Sequence, residues 1–434
     1  MSTQGRPARG ERRRPARGEQ RRPALTERAL RAAPAHAVPE ALAVALAQEY
    51  PQVSGVRLLV CDYHSRLLLP VEPFAAATVS GPGNGDGDGE AHGEAHGDGE
   101  ADDDVLAIRQ STAGRAYLSR SVLLDTSEDD GPRETTTYIP VTARGERLGV
   151  LEVTSSEPWG IPDALTEIGE LFGTALKVAW NWTDRYERAR RRRRLTLAAE
   201  LQWQLLPGHA CSDEGFSLAG HLEPAYSIGG DNFDWSAEHD HLALTVTNGA
   251  GTGISASLLT SLTVGALRNA RRSGADLGEQ ASLANDMVHL RYGGREFTET
   301  LVMRIDLADG AVHVIDAGSP RILLLRGTEV TRVPLEQQLP LGMFPDTEYR
   351  PQRFDLEPGD RLVIVSDGVF AASTARGEFG TLALEQATRR TLLQDAAEVP
   401  LAVINELIEF HDGAGLTDDA VVVCLDWHGS PTGR

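Results

Sequence analysis

The side chains of this 434-residue chain best suited to chemistry are aspartates that recur just outside strand-like segments. They are Asp231 and Asp234 in Gly229-Gly-Asp-Asn-Phe-Asp234, Asp367 in Ser366-Asp-Gly368, and Asp418-Asp419 ahead of the last apolar run. Carboxylates gathered from distant segments repel one another. Folds tolerate that repulsion mainly where divalent cations neutralise it, and hard oxygen donors favour magnesium or manganese. Taken singly, each motif also has a plain reading: Asp367-Gly368 as a turn, Asp418-Asp419 as a loop, Asn248-Gly249 as a hairpin turn. Other metal-like spacings fail. Between Gly81 and Asp104, an EF-hand counted from Asp86 has Ala91 where glycine is needed and Gly97 where glutamate is needed. His92 and His96 stand four apart, but the glycines around them would not sustain a helix. Cys61, Cys211 and Cys424 are isolated and odd in number, and read as buried thiols.

Those aspartates need a scaffold. Alternating or continuous apolar runs predict strands over 241–247, 301–307, 311–316, 322–326, 361–366 and 420–426, with Asp309-Gly310 as a hairpin turn. Helical periodicity predicts helices over 254–271, 277–290, 381–393 and 399–410. The mixture implies an α+β unit of two packed sheets flanked by helices. Upstream, strands are expected over 56–63, 66–71, 137–141 and 147–154 and a helix over 112–119, a smaller α+β layout. At ~150 residues per domain the length allows two to three domains.

The connections divide the chain further. Residues 1–34 repeat Arg-Pro-Ala-Arg-Gly-Glu and read as a disordered tail, either a contact for nucleic acid or an acidic surface or a solubilising extension. Residues 35–160 form the smaller module, with 81–104 as a flexible acidic insert. From Pro162 the apolar residues Leu165, Ile168, Phe172, Ala175, Ala179, Trp182, Tyr186 and Ala189 recur at alternating steps of three and four. That seam predicts a linker helix over 161–207, either a dimeric coiled coil or a helix packed on its own domains. The seam slips two residues after the arginine block 190–194. Residues 208–428 hold the larger unit.

Charge excludes some functions. The net charge is −21, yet residues 1–31 carry +7 and residues 185–194 carry +6, which leaves −34 elsewhere. So acidic a body is a poor surface for nucleic acid. No apolar run approaches the ~18 residues of a membrane helix, and the Arg-rich start lacks the apolar segment of a secretory signal, so a cytoplasmic location is expected.

Two resemblances add to this reading. Ser111-Thr-Ala-Gly114 at a helix start, with Tyr138-Ile-Pro-Val141 and Leu148-Gly-Val-Leu151 in the sheet, resembles GAF domains, which serve as ligand sensors or as structural dimerising modules. No ligand is assigned. The ordered set Leu201-Gln-Trp-Gln-Leu-Leu-Pro207, Gly229-Gly-Asp231, Asn248-Gly-Ala-Gly-Thr-Gly253, Phe297-Thr298, Asp316-Ala-Gly318, Pro358-Gly-Asp360, Ser366-Asp-Gly-Val369 and Asp418-Asp419 resembles bacterial PPM-type protein phosphatases of the SpoIIE branch. The resemblance implies an α-β-β-α sandwich, two manganese or magnesium ions, and hydrolysis of phosphoserine or phosphothreonine on a signalling partner of the anti-anti-sigma type. It implies Asp231, Asp367 and Asp418 as catalytic metal ligands, with the Gly249 carbonyl adding an oxygen. Where the family has its bridging aspartate, this chain has Asn248; Thr252, Ser319 and Ala371 are further departures. A pseudophosphatase that binds the same partner without hydrolysis is the alternative.

Overall fold

The computed structural model describes residues 23–72, 104–126, 134–160, 162–191, 195–225, 229–318, 320–374, 377–380, 382–412 and 416–430. Most of the expected tail (1–22), most of the acidic insert (81–103), residues 192–194 of the arginine block, and Ser319 lie outside the described residues. The chain divides into two compact units, one drawn from Met1–Val60, Leu68–Val141 and Gly149–Ala189, the other from Cys61–Leu67, Thr142–Leu148 and Arg190–Arg434.

The first unit opens with α1 (Pro23–Ala32) and α2 (Val38–Glu49). It continues through β1 (Val53–Cys61), β2 (Leu67–Pro70), β3 (Leu106–Ala107), α3 (Thr112–Ser119), β4 (Leu123–Thr126), β5 (Thr135–Ala143) and β6 (Glu146–Ser155) to α4 (Pro162–Trp180) and α5 (Arg185–Ala189). One six-stranded sheet runs β3-β2-β1-β6-β5-β4. Arg144 and Gly145 both take positive φ, 50° and 86°, in the β5–β6 turn, the two-residue geometry that suits a twisted hairpin. Ser111 caps α3 by accepting a hydrogen bond from the Gly114 amide at 3.0 Å.

Two expectations are corrected here. Helix α1 lies inside the segment expected to be without structure: Thr26 and Leu30 are buried, and the Thr26 hydroxyl donates to Glu49 at 3.2 Å. An apolar face was present, but arginines on the opposite face masked it. The linker over 161–207 is not one helix either. It breaks into α4, α5 and α6 (Leu197–Leu205), and most of its seam is buried within the first unit: Leu165, Ile168, Phe172, Ala179 and Tyr186 are buried, Ala175 and Ala189 half-buried, and Trp182 exposed. Helix α4 lies so close to the sheet that a Cβ on Gly169 would stand 2.2 Å from the Pro140 carbonyl oxygen. Arg185 locks α5 to α2 through a bidentate pair with Glu40 at 2.6 and 2.9 Å. An amphipathic stripe buries against an apolar surface that fits it, and for most of this seam the same chain supplies that surface, which is the second of the two expected arrangements; Trp182 stays 79% exposed.

The second unit follows α6 with β7 (Ala210–Ser212), β8 (Phe216–Glu223), β9 (Asn232–Ala237), β10 (His241–Gly249), α7 (Gly253–Arg272), α8 (Leu277–Tyr292), β11 (Thr298–Asp306), β12 (Ala311–Ala317), β13 (Arg321–Arg326) and β14 (Glu329–Arg332). It ends with β15 (Gln352–Asp355), β16 (Arg361–Val365), α9 (Asp367–Phe370), the short pair β17 (Ser373–Thr374) and β18 (Gly377–Glu378), α10 (Leu382–Arg390), α11 (Val399–Phe410) and β19 (Ala420–Trp427). A five-stranded sheet, β15-β12-β11-β10-β9, faces a six-stranded sheet, β14-β13-β16-β19-β8-β7. Leu244, Val246, Leu301 and Met303 from one and Ile322, Ile364, Val421 and Val423 from the other meet in the central core. Helices α7 and α8 cover the outer face of the first sheet through Leu267, Ala281 and Ala284. Helices α10 and α11 cover the second through Leu384, Val403 and Leu407. The layers are helix, sheet, sheet, helix, as the sequence implied. Strands β8 and β9 were not expected: Gly220 interrupts the first, and the Phe233 ring fills the space where its Cβ would be. Among the described residues no helix is long and apolar enough to cross a membrane.

Candidate functional site

The aspartates meet at one end of the sandwich because each terminates or precedes a strand there. Asp231 immediately precedes β9, Asp367 follows β16 by one residue, and Asp418-Asp419 lead into β19. Two glycines make the junction possible. A Cβ on Gly230 would lie 2.6 Å from the Gly249 carbonyl oxygen, and one on Gly249 would lie 2.3 Å from the Thr260 hydroxyl. Instead the Gly249 amide donates to the Gly230 carbonyl at 3.1 Å, and the Thr260 hydroxyl donates to the same carbonyl at 2.5 Å. Gly368 fits as tightly, because a Cβ there would meet the Asp419 carbonyl oxygen at 1.9 Å. Asn248 and Gly249 are the last two residues of β10 and not a hairpin turn; the positive φ values fall later, at Gly251 and Gly253.

Asp231 is only 1% exposed and its Oδ2 has no hydrogen-bond partner. Burial, followed by the charges of Asp367, Asp419 and Asp418, pushes its carboxyl well above the usual range. Desolvation by the surrounding chain and the charge of Asp367 raise Asp418 to about 6. Asp367 accepts a hydrogen bond from the Gly368 amide at 2.9 Å. Asp231, Asp367 and Asp418 therefore share one electrostatic field, and the Gly249 backbone adjoins it through Gly230. Asp234 does not belong: Arg268 and Arg271 hold it at 2.8 and 3.2 Å.

Two further residues were absent from the expected set. Asp419 is fully buried, accepting from the Ala225 amide at 2.8 Å through Oδ1 and from Gln202 Nε2 at 2.5 Å through Oδ2. The same Gln202 nitrogen donates to the Asp231 carbonyl at 3.0 Å, so one amide from α6 ties the two halves of the acidic centre together. Both lie in motifs visible in the sequence, but their pairing spans 217 positions and leaves no local pattern.

The donor set is all oxygen and largely anionic, with one buried oxygen lacking any partner, and such chemistry fits a hard divalent cation. Among the described residues no three His, Cys, Asp or Glu side chains stand close enough together to hold an ion as placed. Closing a coordination sphere would take side-chain rotation between staggered rotamers, a small cost for groups at strand ends.

Residues 238–428 match the family model described as Stage II sporulation protein E (SpoIIE). "Stage II sporulation protein E" of Bacillus subtilis (strain 168) is 25% identical over 189 residues, covering 44% of this chain and 23% of that protein. "Phosphoserine phosphatase RsbU" of the same organism is 22% identical over 232 residues, covering 53% of this chain and 69% of that protein. Among solved structures, the SiaA-PP2C domain of Pseudomonas aeruginosa is 18% identical, covers 53% of this chain and 94% of that one, and has a TM-score of 0.46. The chain spans less than a third of the length of the two stage II sporulation proteins it matches, 23% and 32%. Residues 238–428 are thus similar to the SpoIIE-type phosphatase domains of these relatives.

Proposed function

We propose that residues 208–428 act as a divalent-metal-dependent protein serine/threonine phosphatase on a phosphorylated signalling partner of the anti-anti-sigma type. The N-terminal unit is read as its GAF-like regulator. The observation that carries the reading is the unneutralised carboxylate field around Asp231, whose buried Oδ2 has no partner. Asp231, Asp367 and Asp418, with the Gly249 carbonyl and the Asn248 amide oxygen, would hold manganese or magnesium. When bound, such ions activate water for attack on the phosphate ester and offset charge on the transferring phosphoryl group. The chain's own part is positional. Gln202 fixes Asp419 against the Asp231 backbone, Thr260 fixes Gly230, and the close contact of Gly368 with the Asp419 carbonyl sets where Asp367 stands relative to Asp418. The name of the phosphoserine phosphatase relative supports a phosphoserine ester as substrate.

The test is manganese titration by calorimetry paired with phosphate release from a phosphoserine peptide. Saturable manganese binding and metal-dependent turnover are expected, both lost in Asp367→Asn. Unchanged manganese affinity in that variant would remove Asp367 from the ligand set. Asn248 favours a second reading, a pseudophosphatase, because an amide offers one neutral oxygen where a carboxylate offers two charged ones. Phosphopeptide binding without turnover by the metal-loaded protein would select it.

A further inference from the structure

The register of the five-stranded sheet places a carboxylate beside the amide that departs from the family pattern. In the β10–β11 ladder Asn248 pairs directly with Glu299. Directly paired residues of an antiparallel ladder project to the same face, with Cβ atoms roughly 4.5–5.5 Å apart. That face is the inner one. On β10 it continues through Val246 and Leu244 and on β11 through Leu301 and Met303, all four in the core between the sheets. The β9 ladder pairs Asn232 with Thr247, so one step further Asp231 falls beside Asn248. The β12 ladder pairs Thr300 with Ala317, so one step further Gly318 falls beside Glu299. Asp231, Asn248, Glu299 and Gly318 thus form one row across four strands, at the mouth of the sandwich and one position beyond the apolar core.

Gly318 gives Glu299 its room. It has φ of +137°, and a Cβ there would stand 2.5 Å from Glu299 Cβ and 2.6 Å from its Cγ, so only glycine lets the glutamate side chain lie in this row. Glu299 is half-buried, close enough to Asp316 for its charge to act there. A glutamate is one methylene longer than an aspartate. Reaching the Asn248 side would take a change of rotamer and exchange of the interaction Glu299 makes now. At the other end of the row is Asp231, whose buried Oδ2 has no hydrogen-bond partner.

We propose that Glu299 supplies the carboxylate that Asn248 lacks, so that the cation site of this chain is completed from β11 in place of β10. The proposal rests on the metal-dependent reading of the site. It makes Glu299 the ligand that brings the negative charge, beside the neutral oxygen of the Asn248 amide, and Gly318 the residue that leaves it space.

The experiment is calorimetric manganese binding to the full chain, stripped of metal with chelator, with Mn²⁺ electron paramagnetic resonance as a second readout independent of turnover. Asn-Gly is prone to deamidation, which would convert Asn248 to aspartate, so fresh protein checked by mass is the reference. Glu299→Gln is expected to weaken manganese binding at least tenfold, and Glu296→Gln, on the exposed approach to β11, to leave it within twofold. Adding Asn248→Asp to Glu299→Gln is expected to restore affinity to within about threefold of wild type, and that rescue also excludes misfolding as the cause of the loss. Wild-type affinity in Glu299→Gln overturns the proposal. So does a wild type that binds no manganese while Asn248→Asp does, because the site would then exist without help from Glu299. If neither binds, the metal-dependent reading fails and the proposal fails with it.

Discussion

Two populations of aspartate in the same unit carry opposite electrostatic arrangements. Asp234, Asp360 and Asp426 are each held by arginine: Arg268 and Arg271 on the first, Arg326 at 2.6 and 2.9 Å on the second, Arg361 at 2.6 and 2.7 Å on the third. Asp231, Asp367, Asp418 and Asp419 have no guanidinium partner among the described residues. Asp419 is satisfied by neutral donors, and Asp231 keeps one oxygen with none. Burial without neutralisation is costly, and a buried charge ordinarily appears with a partner. In a sequence with 42 lysines and arginines, the lack of any such ion pair to these four carboxylates among the described residues marks them as a place where positive charge is to come from outside the chain. Carboxylates that hold the fold together are paired internally. The carboxylates of the proposed metal centre are left open.

The comparison is most sharply broken on the paired side. Arg361 is buried, grips Asp426 with two bonds, and reaches the Thr391 and Gln394 carbonyls as well. Arg361→Ala should destabilise the unit by about 3–5 kcal/mol, because it strands a carboxylate and two carbonyls. Chemical denaturation measures this directly, and a loss below about 1 kcal/mol would show that the paired population does not hold the fold. A smaller loss is expected from Gln202→Ala. Removing the amide takes one donor from Asp419 and one from the Asp231 carbonyl, for about 1–3 kcal/mol. Manganese affinity should fall as well, since the two halves of the acidic centre lose their tie. A stability loss with unchanged metal affinity would confine Gln202 to a packing role.

Much of this centre was legible from residue order. Asp231, Asp367 and Asp418 stand at strand ends in glycine-containing turns, and strand ends from distant parts of a sandwich converge at one edge. The helices over α7, α8 and α11 were legible for a related reason: periodicity and caps are local. Helix α8, for instance, starts at Asp276 with a reciprocal capping box to Glu279 and stops at Gly293 in the left-handed region. What was not legible depends on pairing. Gln202 touching Asp419, Glu299 facing Asn248 and Asp234 being held by Arg268 are facts of register and packing, and nothing within a few residues of each encodes them. The seam from Leu165 to Tyr186 left two arrangements open for a different reason. A stripe at three-four spacing reports that one face will be buried, not whose surface will bury it.

On the open side of the comparison the sign reverses. Asp231→Asn removes a buried carboxyl that must take up a proton to be tolerated beside Asp367, Asp418 and Asp419, so the metal-free variant should be more stable than wild type at neutral pH, by roughly 1–2 kcal/mol. Melting curves in chelator test this. A variant less stable than wild type would mean that the Asp231 carboxylate is held by favourable contacts and does not belong to the open population.

The smallest effect is the pH dependence of the metal-free protein. The Asp418 carboxyl ionises near 3.8 when unperturbed and is raised to about 6 in the fold, first by desolvation and then by the charge of Asp367. A carboxyl raised by folding binds its proton more tightly in the native state. It therefore costs nothing below the unfolded value, costs progressively more as pH rises from about 4 to about 6, and costs a constant amount above that. Asp316, raised to about 6 chiefly by burial, acts in the same window and the same direction. Other groups contribute slopes of their own, so the informative quantity is the difference between wild type and Asp418→Asn, both in chelator. The variant's advantage in melting temperature should be larger at pH 7.5 than at pH 4.5, with most of the change below pH 6.5. Saturating manganese should reverse the ranking at pH 7.5, because the cation stabilises the ionised wild-type carboxylate and cannot do so for the amide. Parallel curves for the two proteins across the whole range, with or without manganese, would place Asp418 with the solvated surface and outside the centre.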